Sequence, residues 1–182
     1  MRVIAGIAKG KKLLTAAGEE KTRPTTDRVK EAIFGSIQFR LRDACVLDLF
    51  CGSGALGIEA LSRGAKKAIF VDADSETIAM TRKNLAETSL IEKAVILETD
   101  YKKALLQVAK EKKKFRFIFI DPPYASDFYL PAIQTVNAHD LLAEDGMMIV
   151  EHNVAHILDG VSNDIHRQKR YGQTYITFLE RT

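Results

Sequence analysis

Asp121-Pro122-Pro123-Tyr124 sets a carboxylate, two rigid prolines and an aromatic ring directly after the apolar run Phe117 to Ile120. A carboxylate beside a carbonyl whose direction prolines fix can accept both N–H bonds of an exocyclic nucleobase amine. That nitrogen is a poor nucleophile because its lone pair is delocalised into the ring. Held by both protons it becomes more pyramidal, with the lone pair aimed at an incoming methyl group. Asp121 and the Pro122 carbonyl would orient the amine, and Tyr124 would stack on the base. Taken alone, the same four residues also suit a rigid turn, capped by Asp121 and packed by Tyr124.

A second run, Val46-Leu47-Asp48-Leu49-Phe50-Cys51-Gly52-Ser53-Gly54-Ala55-Leu56-Gly57, passes from strand-like residues into glycines spaced G-x-G-x-x-G. Glycines at a strand's carboxyl end let the backbone approach a cofactor closely. Asp72, twenty residues past Gly52, is placed to accept from a ribose diol. The glycines and Asp72 admit a nicotinamide cofactor. Asp48 argues for a different one, because a carboxylate inside the strand repels a pyrophosphate and attracts a cation. S-adenosylmethionine carries a sulfonium and an ammonium. The simpler alternative is a tight strand-to-helix turn capped by Asp48.

These residues need a frame, and the apolar periodicity supplies one. Runs of strand length lie at Cys45 to Phe50, Ala68 to Val71, Val95 to Leu97, Phe115 to Ile120 and Met147 to Val150. Between them, Ala55 to Arg63, Ser75 to Glu87, Tyr101 to Glu111 and Phe128 to His139 have helical spacing. Alternating strand and helix predicts a parallel α/β sheet covered on both faces. Asp164 to Arg170 and Thr174 to Leu179, around Tyr171-Gly172-Gln173, predict a closing antiparallel hairpin at or near the sheet edge. Ahead of the core, Arg2 to Ala5 and Lys12 to Thr15 predict a small basic hairpin, and a helix is expected from about Thr26 to Arg42.

With these motifs in place, the chain resembles the class I S-adenosylmethionine-dependent methyltransferases and, more narrowly, the bacterial 16S ribosomal RNA (guanine-N2)-methyltransferases of the RsmD family. The resemblance covers essentially the whole chain. It rests on Arg2 to Gly6 with Lys9 to Leu13, on Thr22 to Glu31, on Asp48 to Gly57 and on Asp121 to Tyr124, the second run being the most family-specific. It implies a Rossmann-like, seven-stranded, mostly parallel sheet with its last strand pair reversed. It also implies methyl transfer to N2 of one guanine in small-subunit ribosomal RNA. By that analogy Asp48, Gly52 and Gly54, with Phe50 and Cys51 between, line the methionine end, Asp72 holds the ribose, and Asp100 with Tyr101 lies beside the adenine. The family's ribose acid is often glutamate, and aspartate reaches less far. The resemblance further suggests an assembled or partly assembled small subunit as substrate.

Length and charge fit this reading. The chain has 182 residues, 46% hydrophobic and 28% charged, so one compact domain with a small appendage is expected. The division expected is residues 1–43 as a basic extension and 44–182 as the methyltransferase domain. The net charge of +3 hides an asymmetry of +5 over 1–43, −1 over 44–109, −4 over 110–165 and +3 over 166–182. Arg2, Lys9, Lys11, Lys12, Arg23 and Arg28, with Thr26 in the turn, would form an RNA footprint. The denser run Lys110, Lys112, Lys113, Lys114 and Arg116 precedes a strand, opposite the ligand side, and reads as a solvated loop.

Cys45 and Cys51 are too few for a disulfide framework, and a reducing cytoplasm fits best. No export signal or apolar stretch of membrane-spanning length is read. His139, His152, His156 and His166 lack metal-ligand spacing and suit structural or surface roles, His152 being the one placed to face the cleft. A monomer is expected. The competing readings are a DNA adenine-N6 methyltransferase, for which no DNA-reading domain of useful size is evident, a nicotinamide-dependent oxidoreductase, and a non-catalytic RNA-binding assembly factor.

Overall fold

The computed structural model describes residues 1–15, 27–123, 127–154, 157–162 and 165–181. Strands β1 (Cys45–Asp48), β2 (Lys67–Asp72), β3 (Ala94–Glu98), β4 (Phe115–Ile120) and β5 (Leu142–His152) run parallel. With β6 (Ile165–Tyr171) and β7 (Thr174–Glu180) they form one sheet in the order β3-β2-β1-β4-β5-β7-β6. The last two strands stand in reversed order, β7 lying antiparallel between β5 and β6. The helices are α1 (Asp27–Ile37), α2 (Ala55–Ser62), α3 (Ser75–Glu87), α4 (Tyr101–Lys110) and α5 (Tyr129–Ala138).

The central strands read as apolar runs because both their faces are covered. Val46, Phe70, Phe117, Phe119 and Ile149 pack with Ile33, Phe34, Ile58, Leu61 and Leu85 of α1 to α3. The alternate residues Leu47, Ile69, Ile118, Ile120 and Val150 pack with Leu105, Val108, Tyr129 and Ile133 of α4 and α5. Asp74 and Asp100 stop their strands' connections cleanly, each accepting the N–H three residues on, from Thr77 and Lys103, as N-caps.

Three boundaries depart from expectation. The first helix ends at Ile37 and tightens into a 3₁₀ turn over Gln38–Arg40, which swings buried Leu41 and Ala44 into the core ahead of β1. β5 starts early, at Leu142, because Leu142 pairs with Phe115 before a register shift. The N-terminal hairpin is short: beside the antiparallel bridge Arg2 to Lys12, Val3 N–H donates to the Lys11 carbonyl, Gly10 N–H to the Val3 carbonyl and Leu13 N–H to the Met1 carbonyl. Its other N–H groups dock the hairpin on α2: Ile4 and Ala5 donate to Glu59, Ile7 to the Ser62 carbonyl and Ala8 to Ser62 Oγ. Val3, Ala8 and Leu13 join the core beneath.

Candidate active site

Register brings the expected chemistry together at the carboxyl ends of adjacent strands. Asp48 pairs with Phe70 on one side and Phe119 on the other. Asp72 and Asp121 therefore flank the exit of β1 two residues further on. The chain leaves β1 through Gly52 (φ +53°) and Gly54 (φ +78°), in the left-handed region that favours glycine. No atom lies within 4 Å of where a Gly52 Cβ would sit, so the loop's outer side is open at the position a side chain would fill. Gly57 serves packing: a Cβ there would fall 2.3 Å from Phe70 Cε1, so only glycine lets α2 lie this close to β2.

Two carboxylates secure this loop. Asp72 Oδ2 accepts the Gly52 N–H at 3.1 Å and Oδ1 accepts the Asp74 N–H at 3.1 Å. Asp48, buried, accepts the Gly57 N–H at 2.9 Å. Burial pushes the Asp48 carboxyl up to about 7, against the Gly57 hydrogen bond, with nearby Asp72 adding to the rise. The capping role and an attraction for a cation are compatible, since the cap uses a hydrogen bond while the charge remains titratable near neutrality. Cys51 is buried, which raises its thiol and leaves it protonated.

Helix α3 backs the loop. Thr81 Oγ1 donates to the Gly52 carbonyl at 2.7 Å, and Asn84 Nδ2 donates to the Ser53 carbonyl at 2.8 Å. Asn84 also bonds both backbone groups of Leu14, so one buried amide ties the N-terminal arm to the glycine loop. Sequence reasoning missed both residues. Polar residues at three-residue spacing on the face that buries Ile78 and Leu85 were the available signal.

Beyond the loop stands an aromatic wall. Phe50 lies 5.3 Å from Tyr101 and 6.1 Å from Phe128, nearly parallel to the latter, and Tyr101 lies 5.2 Å from Phe128. Tyr101 is buried, while Phe128 is 41% exposed. Phe128 was expected only as a helix start. Asp100, half-buried, is held below the usual carboxylate range by the Lys103 N–H and is thus committed to its cap.

At the end of β4, Asp121 is half-buried and Pro122 buried. The Tyr129 hydroxyl lies 3.5 Å from the Pro122 carbonyl oxygen, at the outer limit of a hydrogen bond. Tyr124 lies outside the described residues, as do Arg23 and Thr26. His152 does not face an open cleft, correcting the expectation. It is fully buried, its ring nitrogens 2.9 Å from the Val154 carbonyl and 2.8 Å from Thr177 Oγ1, and it stacks on Tyr175. Burial lowers its pKa, so it is neutral at pH 7.

Arg2, Lys9, Lys11, Lys12 and Arg28 are all exposed, and Arg2 pairs with Asp27 at 3.0 Å. The arm is anchored by a buried pair, Lys30 Nζ to Glu59 Oε2 at 3.3 Å, both side chains fully inaccessible. Glu59 also takes Arg63 Nε at 2.7 Å. In the basic run leading into β4, Lys113 and Lys114 just ahead of the strand and Arg116 at its start are paired with Glu111, Asp140 and Asp145, at the sheet end opposite the glycine loop. Among the described residues no helix is long and apolar enough to cross a membrane.

The comparisons with known proteins agree with this geometry. The family model "Conserved hypothetical protein 95" matches residues 1–180. The Bacillus subtilis protein YlbH, which carries a provisional name as an rRNA methyltransferase, is 40% identical over 183 residues, covering 100% of this chain and 99% of its own. "Ribosomal RNA small subunit methyltransferase D" of Escherichia coli is 32% identical, covering 100% of this chain and 90% of its own. A solved Escherichia coli structure, yhhF, provisionally described as a methyltransferase, superposes with a TM-score of 0.85 at 31% identity, covering 100% of this chain and 97% of its own. The resemblance read from the motifs is borne out.

Proposed function

The chain belongs to the Conserved hypothetical protein 95 family, the family of the rRNA small-subunit methyltransferases D, and from that premise we propose that it methylates the exocyclic N2 of one guanine in 16S ribosomal RNA. The observation that carries the reading is the strand register that sets Asp72, the glycine loop and Asp121 side by side. The methyl donor is S-adenosylmethionine, and the site's residues fit it. An open glycine cradle, the Asp72 carboxylate for a ribose diol, titratable Asp48 near the cationic end and the Phe50, Tyr101 and Phe128 wall for an adenine supply what such a molecule needs.

When bound, S-adenosylmethionine supplies an electrophilic methyl on a sulfonium. The chain's own part is orientation. Asp121 and the Pro122 carbonyl accept the two N–H bonds of the guanine amine, and Tyr124 stacks on the base. Tyr129, behind Pro122, steadies the carbonyl's direction. The nitrogen loses a proton once bond formation has made it acidic, so Asp121 need not be a strong base. Residues 1–43 act as an RNA-contacting extension of the catalytic part, 44–182, with Arg2, Lys9, Lys11, Lys12, Arg23 and Arg28 on phosphates and Thr26 among the RNA contacts. The substrate is an assembled or partly assembled small subunit, met in the cytoplasm by a monomer.

The test is Asp121→Ala. Methyl incorporation into small-subunit RNA is expected to fall at least about a hundredfold, with S-adenosylmethionine affinity measured by calorimetry changed less than about threefold. Unchanged turnover in the variant would refute the assignment.

A further inference from the structure

Strand β6 carries basic residues that the site does not use. Arg167, Lys169 and Arg170 lie within Ile165–Tyr171, which holds no acidic residue, and all three are exposed. Among the described residues none of them is paired with a carboxylate, whereas Lys113, Lys114, Arg116 and Arg181 each are. What the three do touch leaves their charge unneutralised. Arg167 donates to Ser36 Oγ at 3.1 Å, and Arg170 donates to the Gly172 carbonyl at 2.7 Å, its guanidinium 5.5 Å from the centre of the Tyr175 ring.

The place of this strand gives the charge a direction. β6 is the outermost strand, and its contact with Ser36 fixes it beside the far end of α1. The near end of α1, at Asp27, is held by Arg2 of the basic arm. Helix α1 thus bridges two basic elements about 14 Å apart along its axis, since nine residues rise 1.5 Å each. Arg28, Gly35 and Ser36 are exposed between them. In the turn that follows, Phe39 is 92% exposed, so it contributes nothing to the core and leaves both faces of its ring open. An open aromatic ring three residues past the Ser36 that Arg167 touches can stack an unpaired base while cations hold the backbone.

We propose that β6, with the outer face of α1 and Phe39, forms a second RNA-contacting surface. Arg167, Lys169 and Arg170 hold phosphates, and Phe39 stacks an unpaired base of the same ribosomal RNA. The proposal rests on the ribosomal RNA reading above. Basic side chains also protect an edge strand from pairing with another sheet. Protection alone, however, contributes no slope to RNA binding as salt is raised.

The experiment titrates the full chain with a fluorescently labelled fragment of small-subunit ribosomal RNA across a salt series, and follows methylation of small-subunit particles in parallel. In R167Q/K169Q/R170Q the slope of log affinity against log salt is expected to shrink by about 2–3. KM for particles should rise while kcat stays within about twofold. F39A should weaken RNA binding roughly tenfold with the slope unchanged. If the triple variant fails to fold, K169Q alone should shrink the slope by about 1. An unchanged slope in a folded variant overturns the proposal. A raised KM for particles with unchanged affinity for RNA also overturns it, because the surface would then meet a ribosomal protein. Failure of the wild type to methylate particles, with the slope still shrinking in the variant, would remove the proposed activity and leave this surface standing.

Discussion

Asp48 serves a local hydrogen bond and a charge at once, and the two can be separated by pH. Its carboxyl, buried against the Gly57 N–H, sits near pH 7 rather than at the ordinary carboxylate value near 4. A raised folded value means the unfolded chain gives up this proton first as pH climbs. Stability from this group therefore falls between about pH 4 and pH 7 and is flat above, by up to about 4 kcal/mol. Asp48→Asn keeps an oxygen for Gly57 and removes the charge. The variant is expected to be the more stable protein at pH 8 and no different near pH 4, measured by urea unfolding. S-adenosylmethionine affinity in the wild type should tighten as pH rises through 7, and the variant should lose both the tightening and much of the affinity. A wild-type affinity independent of pH would contradict the cation-facing role of Asp48.

At the scale of elements, the arm and helices α1, α2 and α3 are one polar lattice. Lys30 and Glu59 are buried together, and Glu59 takes two arm N–H groups as well as Arg63. Burial holds Lys30 below its ordinary pKa, with Glu59 opposing that effect. Lys30→Met leaves the Glu59 charge short of a partner and is expected to cost about 3–5 kcal/mol in urea unfolding. Native-state trypsin should then cut first in the arm, at Lys9, Lys11 or Lys12. Asn84→Ala strands Leu14 and Ser53 groups at a cost of about 1–3 kcal/mol. It should weaken cofactor and RNA binding together, whereas an arm independent of the loop would weaken only one. Little of this lattice is legible in the sequence. A lysine in α1 and a glutamate in α2 look like solvated charges until tertiary contact buries them. The N-terminal hairpin itself was legible from its alternation, and Val3, Gly10 and Leu13 N–H groups bond across it, but the further bonds of Ile4, Ala5 and Ala8 to Glu59 and Ser62 depend on tertiary contact.

At the scale of the whole molecule, the sheet was almost fully legible. Buried parallel strands announce themselves as short apolar runs, and Phe115–Ile120 and Ser75–Glu87 match their expected bounds residue for residue. Strand order came from the resemblance, since periodicity does not say that β7 inserts between β5 and β6. In the site, Asp48, Asp72, Asp121 and the glycines could be found because their chemistry is tied to strand ends. Phe128 could not, because only packing gives it its neighbours, and Asn84 left only a polar residue on the apolar face of its helix, which does not say what it bonds. The charge asymmetry makes a global prediction as well. With basic ends and an acidic middle, affinity for ribosomal RNA should fall steeply as salt rises, while S-adenosylmethionine affinity changes little. A salt-insensitive affinity for RNA would leave the basic ends without a role in binding.

The central claim is tested most directly by nucleoside mass spectrometry. Small-subunit particles from cells lacking the protein are incubated with it and methyl-labelled S-adenosylmethionine, then digested to nucleosides. Label in N2-methylguanosine is the predicted result. Its absence there, with S-adenosylmethionine shown to bind, or its appearance in N6-methyladenosine instead, would contradict the account.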